Sequence, residues 1–367
     1  MAFPHVYVHV PFCARRCTYC DFAIAVRRTV PVRDYLAALA TEARLAGDAS
    51  AARTLYLGGG TPSQLGGDGI VELARKLRAP AELEEFTLEA NPDDISEPVV
   101  RVWRGAGLTR LSIGAQSFHP AALAWMHRTH DAAATVTAVQ AARRAGIGSL
   151  SLDLIFALPQ ALGRSFAADL EHLIALQPDH VSLYGLTVEP NTPLGRQVKR
   201  GAAPPVDDAR YEEEYLFAHE RLGAAGYRFY EVSNAARDGH TAVHNAAYWS
   251  GAPYLGLGPS AHSFDGDTRW WNEPAFAAWS ARLAHGQSPV VGRESLDAAA
   301  QRLERLYLGL RTGVGATLDA AEATPLATVR RWEQAGWARI ASAQDGGWRV
   351  SLTPAGWLRL DELVAAL

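Results

Sequence analysis

Cysteine is scarce in this sequence of 367 residues: there are three, and all lie between positions 13 and 20. An odd number of thiols cannot pair completely in disulfides, and a chain of this length can bury a full core without covalent staples. We therefore expect reduced thiols, as in the cytoplasm, and rank metal ligation above disulfide formation.

Long apolar runs and leader segments are missing as well. The first five residues contain no basic segment followed by an apolar stretch, so we expect no signal peptide. The longest apolar run, 150–162, is interrupted by Asp153 and is too short to cross a bilayer. The sequence predicts a cytoplasmic protein with no integral membrane segment.

An excess of charge of one sign is also absent. The chain has 35 Lys and Arg against 39 Asp and Glu, a formal net charge of -4, and the basic residues are interspersed among acidic ones. Nucleic-acid-binding domains usually present a basic patch or stripe. We therefore expect no nucleic-acid partner.

Apolar runs and stretches of helical periodicity alternate as far as about residue 189. The predicted strands are 5–10, 54–57, 86–89, 110–114, 149–155 and 180–186. The predicted helices are 33–45, 69–77, 95–106, 132–145 and 165–176. Because parallel strands need long crossover connections, this alternation indicates βα units.

The predicted fold class is α/β, a partial (β/α)6 barrel over residues 1–190. A doubly wound open sheet is the alternative, but G-x-G-x-x-G is absent after the first strand. Residues 191–294 are interpreted as an extension of the barrel. Residues 295–367 predict a small winged-helix-like α+β domain with a structural or docking role. Its predicted elements are helices 297–310 and 325–334, two strands around Asp345-Gly346-Gly347 and a helix 354–367.

The strongest chemical signal is Cys13-Ala14-Arg15-Arg16-Cys17-Thr18-Tyr19-Cys20, directly after the first predicted strand. Thiolates bind iron–sulfur clusters, which usually take four of them. Three thiolates leave one iron of a 4Fe-4S cluster open, and S-adenosylmethionine can chelate it through its amino and carboxylate groups. Structural zinc is the alternative, but it usually takes four protein ligands, and no second knuckle is present.

Polar or glycine-rich residues close the later predicted strands, where catalytic groups of such barrels gather. The run Gly58-Gly59-Gly60-Thr61-Pro62 lets the backbone approach a ligand closely. Glu89 closes the third strand and could bind ribose hydroxyls, and Gln116 closes the fourth. Asp153 in the apolar fifth strand needs a partner, for which Arg128 is predicted. A buried Asp153–Arg128 bridge without a ligand is the alternative.

The pattern Tyr7-x-His9-x-Pro11-Phe12-Cys13, continued through Cys20-Asp21-Phe22, resembles the radical SAM proteins of the oxygen-independent coproporphyrinogen III dehydrogenase group and the related HemW-type heme chaperones. The likeness covers nearly the whole chain. It implies a radical SAM barrel whose cluster, held by the three cysteines, cleaves S-adenosylmethionine to a 5′-deoxyadenosyl radical. It also implies cofactor contacts from Tyr7, Tyr19, Gly60, Thr61, Glu89, Gln116, Arg128, Asp153 and Thr187.

Three features favour the chaperone branch. Phe22 stands where the dehydrogenases usually carry a fourth cysteine, and only twelve residues precede Cys13, where they carry a long extension. The segment His244-Asn245-Ala246-Ala247-Tyr248-Trp249 resembles the chaperones' H-N-x-x-Y-W heme signature. Neutral imidazole commonly binds heme iron, and aromatic rings cover the macrocycle. Without this context, a histidine beside aromatic residues is more often a packed core residue. His240 and His262 are weaker ligand candidates.

The predicted function is a heme chaperone that binds heme, or a related tetrapyrrole, through the His244 segment and passes it to an acceptor protein. The resemblance suggests respiratory heme proteins as acceptors. The alternative is a coproporphyrinogen III dehydrogenase, which removes propionate carboxyl groups to form protoporphyrinogen IX. Radical methylation or ring opening of heme is a further enzymatic option, so the sequence leaves enzyme and carrier both open.

Overall fold

The computed structural model describes residues 3–80, 82–319, 323–343 and 347–367. Its strands are β1 (His5–Val10), β2 (Phe12–Cys13), β3 (Ala25–Val26), β4 (Thr54–Gly59), β5 (Glu85–Ala90), β6 (Arg110–Gln116), β7 (Ser149–Phe156), β8 (His180–Gly185), β9 (Arg228–Glu231), β10 (Asn234–Ala236), β11 (Tyr254–Leu257), β12 (His262–Phe264), β13 (Thr268–Asn272), β14 (Val290–Ser295), β15 (Ala316–Leu318), β16 (Ala338–Ser342) and β17 (Trp348–Leu352).

The helices are α1 (Val32–Ala46), α2 (Gly66–Lys76), α3 (Glu97–Gly105), α4 (Pro120–Trp125), α5 (Ala132–Arg144), α6 (Phe166–Ala175), α7 (Pro193–Lys199), α8 (Asp208–Ala224), α9 (Val243–Trp249), α10 (Phe276–Ala284), α11 (Ala298–Arg311), α12 (Ala323–Gln334), α13 (Pro354–Trp357) and α14 (Leu360–Ala365). None of the helices in the described ranges is both long enough and apolar enough to cross a membrane.

The six predicted strands form one parallel series, in the order β1-β4-β5-β6-β7-β8. Their side chains are buried on both faces, as in β1, where Val6, Val8 and Val10 are buried on one face and His5 and His9 on the other. Strands covered on both faces are typical of parallel sheets that helices flank. The predicted α/β class and the parallel βα units are confirmed.

A seventh parallel strand, β11, lies on the outer side of β1, with Tyr254 opposite His5. The sequence analysis missed it, because Gly256 and the shortness of the strand weaken its pattern. Gly256 is required here: a Cβ atom would come within 2.0 Å of the His262 carbonyl oxygen. The strand therefore brings residues after position 250 next to the start of the barrel.

Antiparallel strands extend both edges of the main sheet. Beyond β11 lie β12, β13 and β14, and beyond β8 lie β10 and β9. Residues 191–294 thus contribute to both edges. The division of the chain at positions 190 and 295 stays a prediction.

The C-terminal part contains a small antiparallel sheet in the order β15-β17-β16, with α11 to α14 around it. The succession helix, strand, helix, two strands and helices agrees with the predicted winged-helix-like α+β arrangement. The predicted last helix is two short helices, α13 and α14. Asp345 and Gly346 of the predicted turn lie outside the described residues.

Candidate functional site

The carboxyl ends of the parallel strands open into a cavity of about 440 Å³. Most of the predicted site residues line this first cavity. They are Cys13, Cys17, Cys20, Tyr19, Gly60, Thr61, Glu89, Gln116, Arg128, Asp153 and Thr187. Residues up to 174 positions apart in sequence therefore meet at one place, as expected when parallel strands end at a common edge.

The cysteine loop runs between the short parallel strands β2 and β3 at the mouth of this cavity. The Arg27 amide donates to the Cys13 carbonyl at 3.0 Å, which closes the loop. All three cysteines are free and half-buried. Burial raises the pKa of the Cys13 thiol and raises that of Cys20 to about 11.

Two polar side chains point at the thiols. The Thr61 hydroxyl donates to Cys13 Sγ at 3.5 Å, and Arg128 Nη1 donates to Cys17 Sγ at 3.7 Å. The Thr61 hydrogen bond opposes the effect of burial on the Cys13 pKa, because it stabilises negative charge on that sulfur, and Arg128 places a positive charge beside Cys17. Among the described residues, no three His, Cys, Asp or Glu side chains are arranged to hold a single metal ion.

The glycine run at the end of β4 lies directly against the cysteine loop. A Cβ atom on Gly60 would stand 2.8 Å from the Phe12 carbonyl oxygen, so no larger residue fits without a shift. Gly59 has φ +112°, and a Cβ there would meet the His9 ring at 2.7 Å. The close approach and the left-handed backbone explain why glycine is needed at these positions.

Glu89 projects from the end of β5 into the first cavity. Its carboxylate accepts from the Tyr56 hydroxyl at 2.7 Å and from the Gly59 amide at 3.2 Å. Burial raises the pKa of this carboxyl group to about 7, against the opposing effect of the Tyr56 hydrogen bond. Glu89 is therefore a carboxylate with spare acceptor capacity that changes protonation near neutral pH.

Gln116 and Arg128 lie close together in the lining of the first cavity, both near Gly114. Gln116, the last residue of β6, has φ +66°, a left-handed backbone conformation that is unusual for residues other than glycine. The register of the pairing between β6 and β7 shifts between Ile113 and Gln116. Arg128 Nη2 donates to Asn91 Oδ1 at 2.5 Å and to the Gly114 carbonyl at 2.9 Å. Its Nε is buried and has no hydrogen-bond partner among the described residues.

The predicted pairing of Asp153 with Arg128 is wrong. The Asp153 carboxylate accepts from the Ser112 hydroxyl at 3.1 Å and from Ser182, and Arg128 is held by Asn91 and Gly114 instead. Burial raises the Asp153 pKa, opposed by those two hydroxyls. Serine hydroxyls can satisfy a buried carboxylate, so an ion pair is not required.

A second cavity of about 880 Å³ adjoins the first, and both are lined by Asp21, Phe22, Gly59 and Glu89. Aromatic side chains dominate its far walls. These are Tyr248, Trp249, Tyr254, Phe264 and Trp271, with His262 and Arg269 among them. Tyr7, which we predicted in the cofactor site, lines this second cavity and not the first.

His244 lies beneath the wall of the second cavity and is not among its lining residues. Its side chain is 1% exposed, and its ring nitrogens form hydrogen bonds to Thr54 Oγ1 at 2.7 Å and to the Tyr248 hydroxyl at 2.9 Å. Burial lowers its pKa to about 3, so the imidazole is neutral. Tyr248 and Trp249 of the same segment do face the cavity.

The sequence analysis missed several residues of the first cavity, notably Asn91, Ser112 and Tyr184. Asn91 follows Glu89 in the motif that closes β5, so its place after a strand was an available signal. Ser112 and Tyr184 lie inside strands, two positions before Gly114 and three before Thr187 respectively. Only their strand register could have assigned them to the cavity.

Comparisons with known proteins agree with this architecture. Residues 7–173 match the model of the Radical SAM superfamily. The chain is 39% identical to the heme chaperone HemW of Mycobacterium tuberculosis over 86% of this chain and 84% of that protein. It is 37% identical to the heme chaperone HemW of Escherichia coli over 70% of this chain and 69% of that protein.

A solved structure shares the fold over the whole chain. Coproporphyrinogen III oxidase (HemN) from Escherichia coli, a radical SAM enzyme, superposes with a TM-score of 0.83 and 23% sequence identity, covering 100% of this chain and 90% of that one. At this identity the likeness establishes the fold alone.

Proposed function

Since this chain belongs to the HemW heme chaperone family of radical SAM proteins, we propose that it binds heme and transfers it to an acceptor protein. The observation that carries the proposal is the junction of two cavities, one lined by the three thiols and one by aromatic rings. A flat, apolar macrocycle suits the aromatic cavity. Respiratory heme proteins are the acceptors we propose on family grounds.

We infer that Cys13, Cys17 and Cys20 would hold a 4Fe-4S cluster and leave one iron open for S-adenosylmethionine. The donor set fits, because these thiols are unpaired and Phe22, which is 59% exposed, follows them in place of a fourth. The unpartnered Nε of Arg128 points to a further acceptor in this cavity. When bound, the pair would supply one-electron chemistry.

The first cavity also offers polar groups suited to the rest of S-adenosylmethionine. We infer that the backbone near Gly60 receives the methionyl amino group, because no side chain intervenes there. The free acceptor capacity of Glu89 suits ribose hydroxyls. Tyr19, Thr61, Gln116, Arg128, Asp153 and Thr187 complete the proposed set.

Heme in the second cavity would be separated from the thiol cavity only by residues that line both. Gly59 and Glu89 form that wall with Asp21 and Phe22. Any rearrangement of Glu89 on cofactor binding therefore changes the heme cavity as well. We infer that this shared wall couples the cofactor to release of heme.

The test is anaerobic reconstitution with iron and sulfide, followed by titration with hemin and then mixing with apomyoglobin as a heme acceptor. We expect bound iron and sulfide, a perturbed Soret band and heme transfer that depends on S-adenosylmethionine. Cys17→Ser should lose the cluster and that dependence, while Arg196→Gln, an exposed control on α7, should not. Stoichiometric zinc without iron or sulfide, or an unperturbed Soret band, would overturn the proposal.

The same preparation distinguishes a carrier from a decarboxylase. Incubation with coproporphyrinogen III and S-adenosylmethionine, followed by chromatography of the oxidised porphyrins, should give no sustained conversion. Steady accumulation of protoporphyrin would establish a coproporphyrinogen III dehydrogenase instead. Methylated or ring-opened products from heme would establish the further enzymatic option.

A further inference from the structure

Two histidines stand close to the second cavity in very different states. His244 is enclosed: reaching an iron would require breaking its hydrogen bonds to Thr54 and Tyr248. His262, at the start of β12, is exposed and lines the cavity directly. No described residue hydrogen-bonds to its ring nitrogens. Of these two histidines, the one accessible from the cavity is therefore His262, which lies outside the H-N-x-x-Y-W segment.

The backbone and a neighbouring ring fix the direction of the His262 side chain. His262 pairs with Trp271 across the antiparallel strands β12 and β13, and the two rings stack with centroids 5.8 Å apart and planes 25° from parallel. Stacking restricts the imidazole without engaging its nitrogens. A ligand so restrained loses little side-chain entropy on binding.

The remaining histidine of the cavity offers no competing donor. His9 Nδ1 bonds the Tyr7 hydroxyl at 3.2 Å, and His9 Nε2 bonds the Ala23 carbonyl at 2.9 Å. Tyr248 and Trp249 line the same cavity and offer aromatic side chains for contact with a macrocycle. The segment that begins at His244 therefore supplies a wall, and its histidine supports that wall from beneath.

We propose that His262 binds the heme iron in the second cavity and that His244 is a positioning residue that holds Tyr248 in place. This inference rests on the proposed heme-carrier function. It assigns the iron ligand to the exposed imidazole stacked on Trp271, with Tyr248 and Trp249 of the H-N-x-x-Y-W segment lining the same cavity. Partial burial of the ring and the nearby Arg269 lower the His262 pKa, in the direction that favours the neutral imidazole that binds iron.

The experiment titrates hemin into the full chain and three variants, His262→Ala, His244→Gln and His285→Ala. His285 is an exposed histidine at the end of α10 that lines none of the cavities described here, so it controls for nonspecific imidazole binding. Soret position, the dissociation constant for hemin and the electron paramagnetic resonance spectrum of the ferric complex are the readouts. Free imidazole is then added to the His262→Ala complex.

We expect His262→Ala to weaken hemin binding at least tenfold, to lose the signature of axial imidazole and to regain it with added imidazole. His244→Gln should keep the axial signature, and its circular dichroism spectrum shows whether it is folded. His285→Ala should match the unmodified protein. An unchanged spectrum in His262→Ala, or loss of the axial signature in folded His244→Gln, would overturn the assignment. Absence of any heme band in the unmodified protein would instead refute the proposed function itself.

Discussion

Thr54 on β4 and His244 on α9 are joined by a buried hydrogen bond of 2.7 Å between Oγ1 and Nδ1. The same hydroxyl lies 2.9 Å from His5 Nδ1, so β1, β4 and α9 are connected through one oxygen. Glu85 accepts from the His244 and Val243 amides, and so occupies the positive end of α9. His244 is thus connected to two strands of the barrel by hydrogen bonds.

Replacing His244 with glutamine should lower the free energy of unfolding by about 1–3 kcal/mol, because the partners Thr54 and Tyr248 lose part of their hydrogen bonding in a buried place. The loss should depend on pH. The native ring has a pKa of about 3, below its unfolded value of about 6.5. Protonation therefore favours the unfolded state, and this contribution to stability is lost as pH falls below about 6.5.

Urea unfolding at pH 7 and pH 5 measures both effects. The stability difference between the unmodified protein and His244→Gln should be larger at pH 7 than at pH 5, by up to about 1.4 kcal/mol for each pH unit below 6.5. His285→Ala, which removes an exposed ring, should not change the pH dependence. An identical difference at both pH values would show that His244 is not held neutral.

Glu89→Gln should weaken S-adenosylmethionine binding to the reconstituted protein about tenfold or more, because charged hydrogen bonds to hydroxyls are worth about 1.5–3 kcal/mol. With a pKa of about 7, the carboxyl group is increasingly ionised from pH 6 to pH 8. Affinity in the unmodified protein should therefore rise over that interval, and the variant should not follow. Isothermal titration calorimetry at three pH values checks this.

The matched control for Glu89 is Glu84→Gln. Glu84 is a neighbouring carboxylate that is exposed and paired with Arg53 outside the cavity. The Glu84→Gln variant should leave both the affinity for S-adenosylmethionine and the pH profile of that affinity unchanged. A pH profile that persists in Glu89→Gln would assign the titration to another group.

Arg128→Gln should shift the reduction potential of the bound cluster to more negative values, on the order of 50 mV, because a positive charge 3.7 Å from Cys17 Sγ favours the reduced state. Arg128→Lys keeps the charge but cannot reproduce the paired contacts to Asn91 and Gly114. The Arg128→Lys variant should therefore have a cluster reduction potential close to that of the unmodified protein. A redox titration followed by electron paramagnetic resonance provides the measurement.

Measuring the iron and sulfide bound by each variant distinguishes a change in reduction potential from loss of the cluster site. Both Arg128 variants should bind iron and sulfide as the unmodified protein does, since all three thiols remain. Arg143→Gln, whose guanidinium pairs with Asp179 on the surface, is the matched control and should leave the potential unchanged. Equal potentials in Arg128→Gln and the unmodified protein would contradict the assigned electrostatic role.

The parallel strands were predictable because each is a short run rich in β-branched and other apolar residues that alternates with a stretch of helical periodicity, and β1 begins and ends at the predicted residues. The assembly of the first cavity followed from strand ends alone. The true partners of Asp153 could not be derived, because the sequence shows that Asp153 and Arg128 have complementary charge but not that Ser112 and Ser182 hydrogen-bond to Asp153. The enclosed state of His244 was equally hidden, since its partner Thr54 is 190 positions away.

A second buried network lies next to β13, which contributes Trp271 to the second cavity. Glu42 on α1 is 1% exposed and accepts from the Gly258 amide at 2.9 Å, from Trp279 Nε1 at 3.0 Å and from Asn272 Nδ2. Asn272 follows Trp271 directly, so Glu42 fixes the strand that carries one aromatic wall of the second cavity. Burial raises the pKa of Glu42 to about 8, against three hydrogen bonds that lower it.

Glu42→Ala should therefore lower the free energy of unfolding by about 3–5 kcal/mol, because three buried donors lose their acceptor. Glu42→Gln should lower the free energy of unfolding by less, since its amide keeps one acceptor oxygen and resembles the protonated acid.

The stability contributed by Glu42 should also depend on pH. A native pKa near 8 lies above the unfolded value, so ionising Glu42 from pH 6 to pH 8 reduces native stability. The difference between the unmodified protein and Glu42→Gln should shrink over that interval in urea unfolding. Glu72→Ala, on the exposed face of α2, should change stability by less than about 0.5 kcal/mol. A difference that stays constant from pH 6 to pH 8 would mean that Glu42 is ionised in both the native and the unfolded state over that interval, and that its donors outweigh burial.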